Sequence, residues 1–263
     1  MSVTTRQRPA RSTVAHPRTW TLAAVLLTLA GVLGALATMG HRADCPVRVT
    51  PTCAGGQAPY GTLPLLSSAD PTRVVLLGGL CALGLASAWF TALVAARLRP
   101  TVVGCGALVG LQPVAAAVAV LAQPLRPGVA DAVLGSLWFY LAPDLAAVVF
   151  VGLILRRDVV PSGVDRARWL VLTGAATVFG AVPALLVNLV LAFWRPEMAE
   201  AEPDSGYGLA GLLVAGGVGL LAITAAGALR HRSAAAASRP SRQNLVTSAR
   251  GRSSLQAYRV DGI

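Results

Sequence analysis

Hydrophobic positions in this chain fall into six long runs, at about 20–39, 74–96, 102–122, 132–154, 169–193 and 208–229. Each holds about 20 residues or more, enough at 1.5 Å per helical residue to cross a hydrocarbon core of about 30 Å. Short turn-rich or charged breaks separate several of them, such as "RLRP" (97–100), "QPLRPG" (123–128) and "RRDVVPSGVDRAR" (156–168). The pattern predicts an all-α polytopic membrane protein, a bundle of six transmembrane helices carrying a 34-residue loop at 40–73. Residues 1–18 and 231–263 are rich in Arg, Ser, Pro and Ala. They cannot bury enough apolar surface to order themselves and are expected to be disordered tails.

Composition agrees with the pattern. The chain has 263 residues, 55% hydrophobic and 13% charged, against about 25% charged in an ordinary soluble domain. A net charge of +11 raises the question of nucleic acid. The arginines gather in the tails and in short loops, with no aromatics interleaved, so the expected partner is the lipid bilayer and not nucleic acid. All 22 basic residues are Arg, beside 17 Pro and 27 Gly. That bias reads as a high-GC bacterial coding preference, and the expected location is a bacterial cytoplasmic membrane.

Charge also sets the expected topology. With both tails inside, 17 of the 22 arginines lie on the inner side and five outside (Arg42, Arg48, Arg73, Arg126 and Arg195). The positive-inside rule then predicts N-in and C-in. The first run, with its basic start and "ALA" at 35–37, shares features with a secretory signal peptide, but it is long for the usual apolar region of 7–15 residues. The first three runs and the last three share no pattern of prolines or polar positions, which weakens the inverted-repeat signal of many secondary transporters.

The four cysteines divide into two pairs. Cys45 and Cys53 lie in the 40–73 loop, on the expected oxidising side, and are expected to form a disulfide. Cys81 and Cys105 sit within apolar runs and read as small buried hydrophobes. A loop pair after the first span resembles the shuttle cysteines of the vitamin K epoxide reductase family. That family also needs a C-x-x-C motif on a later helix, which this chain lacks. The cysteines have no zinc spacing, and His16, His41 and His231 fall outside the runs. Neither a metal nor a cofactor is expected.

One residue breaks the apolar pattern. Asp144, in "WFYLAPDLAAVVF" (138–150), is the sole acid within the six runs and lies about 12 residues from either end of its own. A carboxylate at the bilayer midplane costs at least about 2.5–3.5 kcal/mol on insertion scales, and such groups usually face a bundle interior or a cavity. The neutral carboxylic acid is the expected form there. Ser136, Tyr140 and Asp144 are spaced i, i+4, i+8, a polar stripe along one helix face. Pro143 has no N–H to offer the carbonyl of Phe139, which frees an acceptor near that stripe. Gln112 beside Pro113, and Asn188 five residues after Pro183, place polar groups at comparable depths in neighbouring runs.

Three functional readings follow. In the first, Asp144 is the general acid of a membrane-embedded enzyme acting on a lipophilic, prenyl- or lipid-like substrate by acid-initiated cyclisation or isomerisation. Tyr140 would assist it, while Trp138, Phe139, Gln112, Asn188 and Ser136 bind substrate, with aromatic faces stabilising a developing cation. In the second, the chain is a small transporter or channel subunit with Asp144 as proton relay. In the third, it is a non-catalytic assembly partner of another membrane protein.

Overall fold

The computed structural model describes residues 17–44, 71–96, 98–122, 136–182 and 205–237, with short pieces at 125–126, 132–133 and 193. Side chains at 40–44, 71–75 and 205–208 are outside this description, as are those beyond Arg230 except Ser233. The described residues are helical and contain no strand. Among the described residues six helices follow one another: α1 Pro17–Asp44, α2 Pro71–Ala95, α3 Pro100–Ala122, α4 Leu137–Leu155, α5 Gly163–Ala176 and α6 Ser205–Ala237. Three of them open on proline, whose fixed φ suits the first turn and whose missing N–H is not needed there.

Five of the helices are long and apolar enough to cross a membrane: α1, α2, α3, α4 and α6. Their outward faces remain apolar. Leu22, Val25, Leu29 and Leu36 are exposed on α1, and Leu141, Leu145 and Val148 on α4. In water such continuous surface would drive aggregation; in a bilayer it is the solvent-facing side. The predicted span at 169–193 is described only as far as Val182, and the helix within it behaves differently from expectation. α5 begins at Gly163, inside the predicted loop, and stops at Ala176 after 14 residues.

The early start of α5 has a local cause. Ser162, in extended conformation, accepts a hydrogen bond from the backbone N–H of Asp165 (3.3 Å). The S-x-x-D spacing is the capping-box pattern, and an acid in the first turn also suits the positive end of the helix dipole. Asp165 then pairs with Arg168 one turn on, at 2.6 Å, with both residues buried.

The chain described up to Ile223 forms one compact unit, and a second begins at Thr224 within the last helix. In the first unit successive helices pack side by side, and α5 also touches α2 and α3. Alternating helix ends meet at one end of this bundle. Trp20 near the start of α1 lies edge-on to Trp169 on α5 (5.2 Å between ring centroids), and Trp169 meets Trp89 near the end of α2 (5.8 Å). Phe150 near the end of α4 closes the cluster against Trp89 (5.3 Å) and Trp169 (5.6 Å). Such edge-to-face pairs contribute about 0.5–1.5 kcal/mol each beyond their buried area. The Trp89 indole N–H also donates to the Gly106 carbonyl of α3 (2.8 Å).

Close approach elsewhere rests on missing side chains. A Cβ on Gly31 of α1 would lie 2.8 Å from the backbone nitrogen of Val214 and 2.9 Å from the carbonyl oxygen of Ala210 on α6. Gly217 of α6 faces the Thr28 hydroxyl of α1 in the same way. Packing of this small-residue kind drives helix association where lipid offers no hydrophobic contrast.

The disulfide expected between Cys45 and Cys53 falls outside the described residues. Cys81 is buried and Cys105 half-buried, both as free thiols.

The α1–α6 contact predicts that Gly31→Ala lowers the thermal midpoint of the detergent-solubilised protein, with a destabilisation of about 1–3 kcal/mol. Gly104→Ala, where an added Cβ meets nothing within 4 Å, leaves the midpoint unchanged within error.

Candidate functional site at the Asp144 helix break

Two backbone irregularities face each other across the interface of α4 with α3 and α5. The first is Pro143 within α4. Because Pro143 has no N–H, the carbonyl of Phe139 loses its helical partner. The side chain of Gln112 on α3 supplies the substitute, its Nε2 donating to the Phe139 oxygen at 3.0 Å. Gln112 is only 1% exposed, and its other amide atom, Oε1, is buried with no hydrogen-bond partner.

The second irregularity is the end of α5. Beyond Ala176 the chain makes a turn over 177–179 and a bend at Gly180 before residues 181–182 return to helical conformation. The turn consumes several of the freed groups itself. Val178 N–H donates to the Ala175 carbonyl (3.1 Å), and Gly180 N–H to the Thr177 carbonyl (2.7 Å). The Thr177 hydroxyl donates back to Thr173 (3.0 Å) and Gly174 (3.3 Å), helping to close the last turn of α5.

Asp144 completes the arrangement from α4. Its Oδ2 accepts the backbone N–H of Val182 at 3.0 Å, and the N–H of Ala181 also donates to the carboxylate. Backbone donors left without partners inside a membrane cost several kcal/mol each, so a carboxylate aimed at them offsets part of its own insertion cost. Gly180 leaves the space the carboxylate occupies. A Cβ there would run into Oδ1 and lie 2.8 Å from the carboxyl carbon and 2.9 Å from Oδ2.

The other residues singled out by sequence distribute around this contact unequally. Tyr140, one helical turn before Asp144, is 1% exposed; Phe139 is 9% exposed and meets the Tyr140 ring edge-on at 5.0 Å. Ser136 lies just outside α4 at its N-terminal cap, half-buried, with no side-chain capping bond. Trp138 points out of the bundle, 71% exposed, away from the buried face that carries Phe139 and Tyr140. Asn188 and Pro183 lie outside the described residues. Among the described residues no three His, Cys, Asp or Glu side chains gather as a metal site would require.

Gly180 was not singled out by the sequence pattern, although "TVFGAVP" (177–183) carried a signal. A Thr, a Gly and a Pro spaced three apart, within a run otherwise read as one continuous helix, mark a candidate break. The break at 156–168 also covers Asp165 and Arg168, and the Ser162-x-x-Asp165 spacing is the feature that marks a helix start there.

No family model, curated protein or solved structure matches this chain. The site therefore stands on its own geometry: a carboxylate, on a helix long and apolar enough to cross a membrane, held against the broken end of a neighbouring helix.

The geometry predicts that Gly180→Ala displaces the Asp144 carboxylate from residues 181–182. Hydrogen–deuterium exchange at the Ala181 and Val182 amides should speed up in this variant and in Asp144→Ala. The Leu153 and Ile154 amides, on α4 away from the break, should keep their wild-type rates.

Proposed function

We propose that this protein is a small membrane transporter or channel subunit in which Asp144 is the relay group. The observation that carries the reading is the bond from Val182 N–H to the Asp144 carboxylate across the end of α5. Non-helical backbone at membrane depth is tolerated where it is packed in protein or lines a water-filled cavity, and ionisable groups at that depth mark ion and proton pathways. Discontinuous helices meeting such groups near the midplane are the usual construction of transporter sites.

The chemistry of the contact supplies a working step. The ionised carboxylate binds the Ala181 and Val182 N–H groups through charge-assisted hydrogen bonds, which are roughly twice as strong as neutral ones. A proton or small cation arriving at the same oxygens removes that charge advantage and competes for their lone pairs. Occupancy of Asp144 is thereby coupled to release of residues 180–182. Gly180 allows the carboxylate to seat, and the Thr177 hydroxyl keeps the end of α5 intact while the segment moves.

The enzyme reading retains one supporting observation, the buried Phe139 and Tyr140 rings beside Asp144, which fit stabilisation of a cation formed from a prenyl-type substrate. It is the weaker reading because the carboxylate is turned toward peptide backbone, with Gly180 against both its oxygens, and not toward an apolar ligand.

Purified protein reconstituted in vesicles holding a pH-sensitive dye should show proton uptake on external acidification above that of protein-free vesicles. Asp144→Asn should fall to the protein-free rate. Wild-type vesicles no faster than protein-free ones, or an unimpaired Asn variant, would overturn the relay. Turnover of a prenyl substrate that is lost in Asp144→Asn would move the assignment to the enzyme.

A further inference from the structure

Gln112 is a buried amide that uses only one of its two ends. Its Nε2 donates to the Phe139 carbonyl at 3.0 Å, while Oε1 has no hydrogen-bond partner, and the residue is 1% exposed. A side chain serving only to glue helices together would gain by pairing both ends, because a buried polar atom left unpaired carries its full desolvation cost. The carbonyl fixes which way the amide points. It can only accept, so turning the amide over would set two oxygens against each other. The role of Gln112 therefore lies in the one bond it makes.

That bond goes to the one carbonyl that Pro143 deprives of its donor, and inside a bilayer an open carbonyl must find another. The next backbone N–H along the chain is that of Asp144 itself. α4 keeps α-helical conformation from Leu137 to Leu155, straight through Pro143, and in that register the Asp144 N–H belongs to the Tyr140 carbonyl, four residues back. If Phe139 took that N–H, the bond would run from i to i+5 and the turn would become a π-bulge. A bulge adds one residue to the turn and rotates the helix beyond it by about 100° against the helix before it. Asp144 lies at that joint, and the rotation would carry its carboxylate away from the Ala181 and Val182 N–H groups. Gln112 removes the cause of the rearrangement by satisfying Phe139 from outside the helix. We propose that Gln112 is the positioning residue for Asp144: its donation to Phe139 holds the Pro143 turn of α4 in α-helical register and so keeps the carboxylate aimed at residues 181–182. The service of that aim to a relay rests on the function proposed above; the aim itself does not.

The test uses the full chain in detergent and reads amide hydrogen–deuterium exchange. Gln112→Met keeps the length of the side chain and removes the donor. Exchange at Ala181 and Val182 should speed up about tenfold, the change that accompanies loss of one buried hydrogen bond. The Leu27 and Ala30 amides of α1 should keep their wild-type rates. Pro143→Ala gives Phe139 a helical donor again, so in that background Gln112→Met should add nothing, and Pro143→Ala and the double variant should exchange alike at 181–182. Restoring a backbone N–H would not rescue a residue that acts only by packing. Unchanged exchange at 181–182 in a folded Gln112→Met protein overturns the assignment, as does a further increase when Gln112→Met is added to Pro143→Ala. Should Gln112→Met alone not fold, recovery of folding in the double variant supports the assignment, and failure of the double variant where Pro143→Ala folds overturns it. In vesicles, proton uptake should fall in Gln112→Met and be equal in Pro143→Ala and the double variant. Faster exchange with undiminished uptake keeps the aim of the carboxylate and overturns its service to the relay.

Discussion

Every backbone N–H and carbonyl inside a bilayer must find its partner within the protein, and this rule governs the described part of the chain. Regular helices meet it automatically. The interruptions at Pro143 and after Ala176 do not, and in each case a polar side chain from a neighbouring helix supplies a partner. Gln112 donates to the carbonyl that Pro143 leaves open, and Asp144 accepts the N–H groups that begin after the break in α5. The two repairs sit on consecutive elements: α3 corrects α4, and α4 corrects the chain beyond α5. A polar side chain that looks anomalous along one helix is a required partner for the next.

The end of the bundle distant from this contact is fixed by different means. Trp20, Trp89, Phe150 and Trp169 interlock there, and the Asp165–Arg168 pair is packed against them. A buried ion pair is weak evidence of stability on its own, since its desolvation offsets much of its attraction. Here both charges sit in the first turns of α5, where the acid complements the helix dipole and Ser162 caps the same turn. The result anchors α5 at its start, while past its far end the N–H of Val182 depends on Asp144. Val178 and Phe179 remain packed in the core just past that end, so the segment that rests on the carboxylate is the short stretch from Gly180 to Val182.

Much of this was legible in the sequence because apolar length is a strong signal. The runs around α1, α2, α3, α4 and α6 correspond to helices able to cross a membrane, and the singular position of Asp144 was visible as one acid among six apolar runs. The opening of the Phe139 carbonyl followed from Pro143 alone, since proline removes a defined donor. What could not be read was which neighbour would fill the gap, because that depends on helix pairing. The break in α5 was hidden for another reason. Hydropathy integrates over about 20 residues, and Thr177, Gly180 and their apolar neighbours do not lower it enough to divide the run. Trp138 shows the same limit: one residue before Phe139 and two before Tyr140, it is set about 100° and 200° around the helix from them, on the outer face.

The relay proposed for Asp144 bears on why the residue is an acid at all. Accepting two backbone N–H groups needs only an oxygen, and an asparagine carbonyl oxygen would serve. Asparagine is among the favoured residues for capping helix starts and carries no charge into the membrane. An aspartate at the same place carries an insertion cost of about 2.5–3.5 kcal/mol, and capping by itself gives no reason to choose the ionisable group. Gln112 makes the comparison within the same bundle, since an amide is sufficient where the task is to satisfy the carbonyl beside Pro143. The distinction of Asp144 is that it can gain and lose charge while remaining in contact with residues 181–182. In the relay proposed for it, that property, placed against residues 181–182 just past the turn that ends α5, is what would couple ionisation to backbone position.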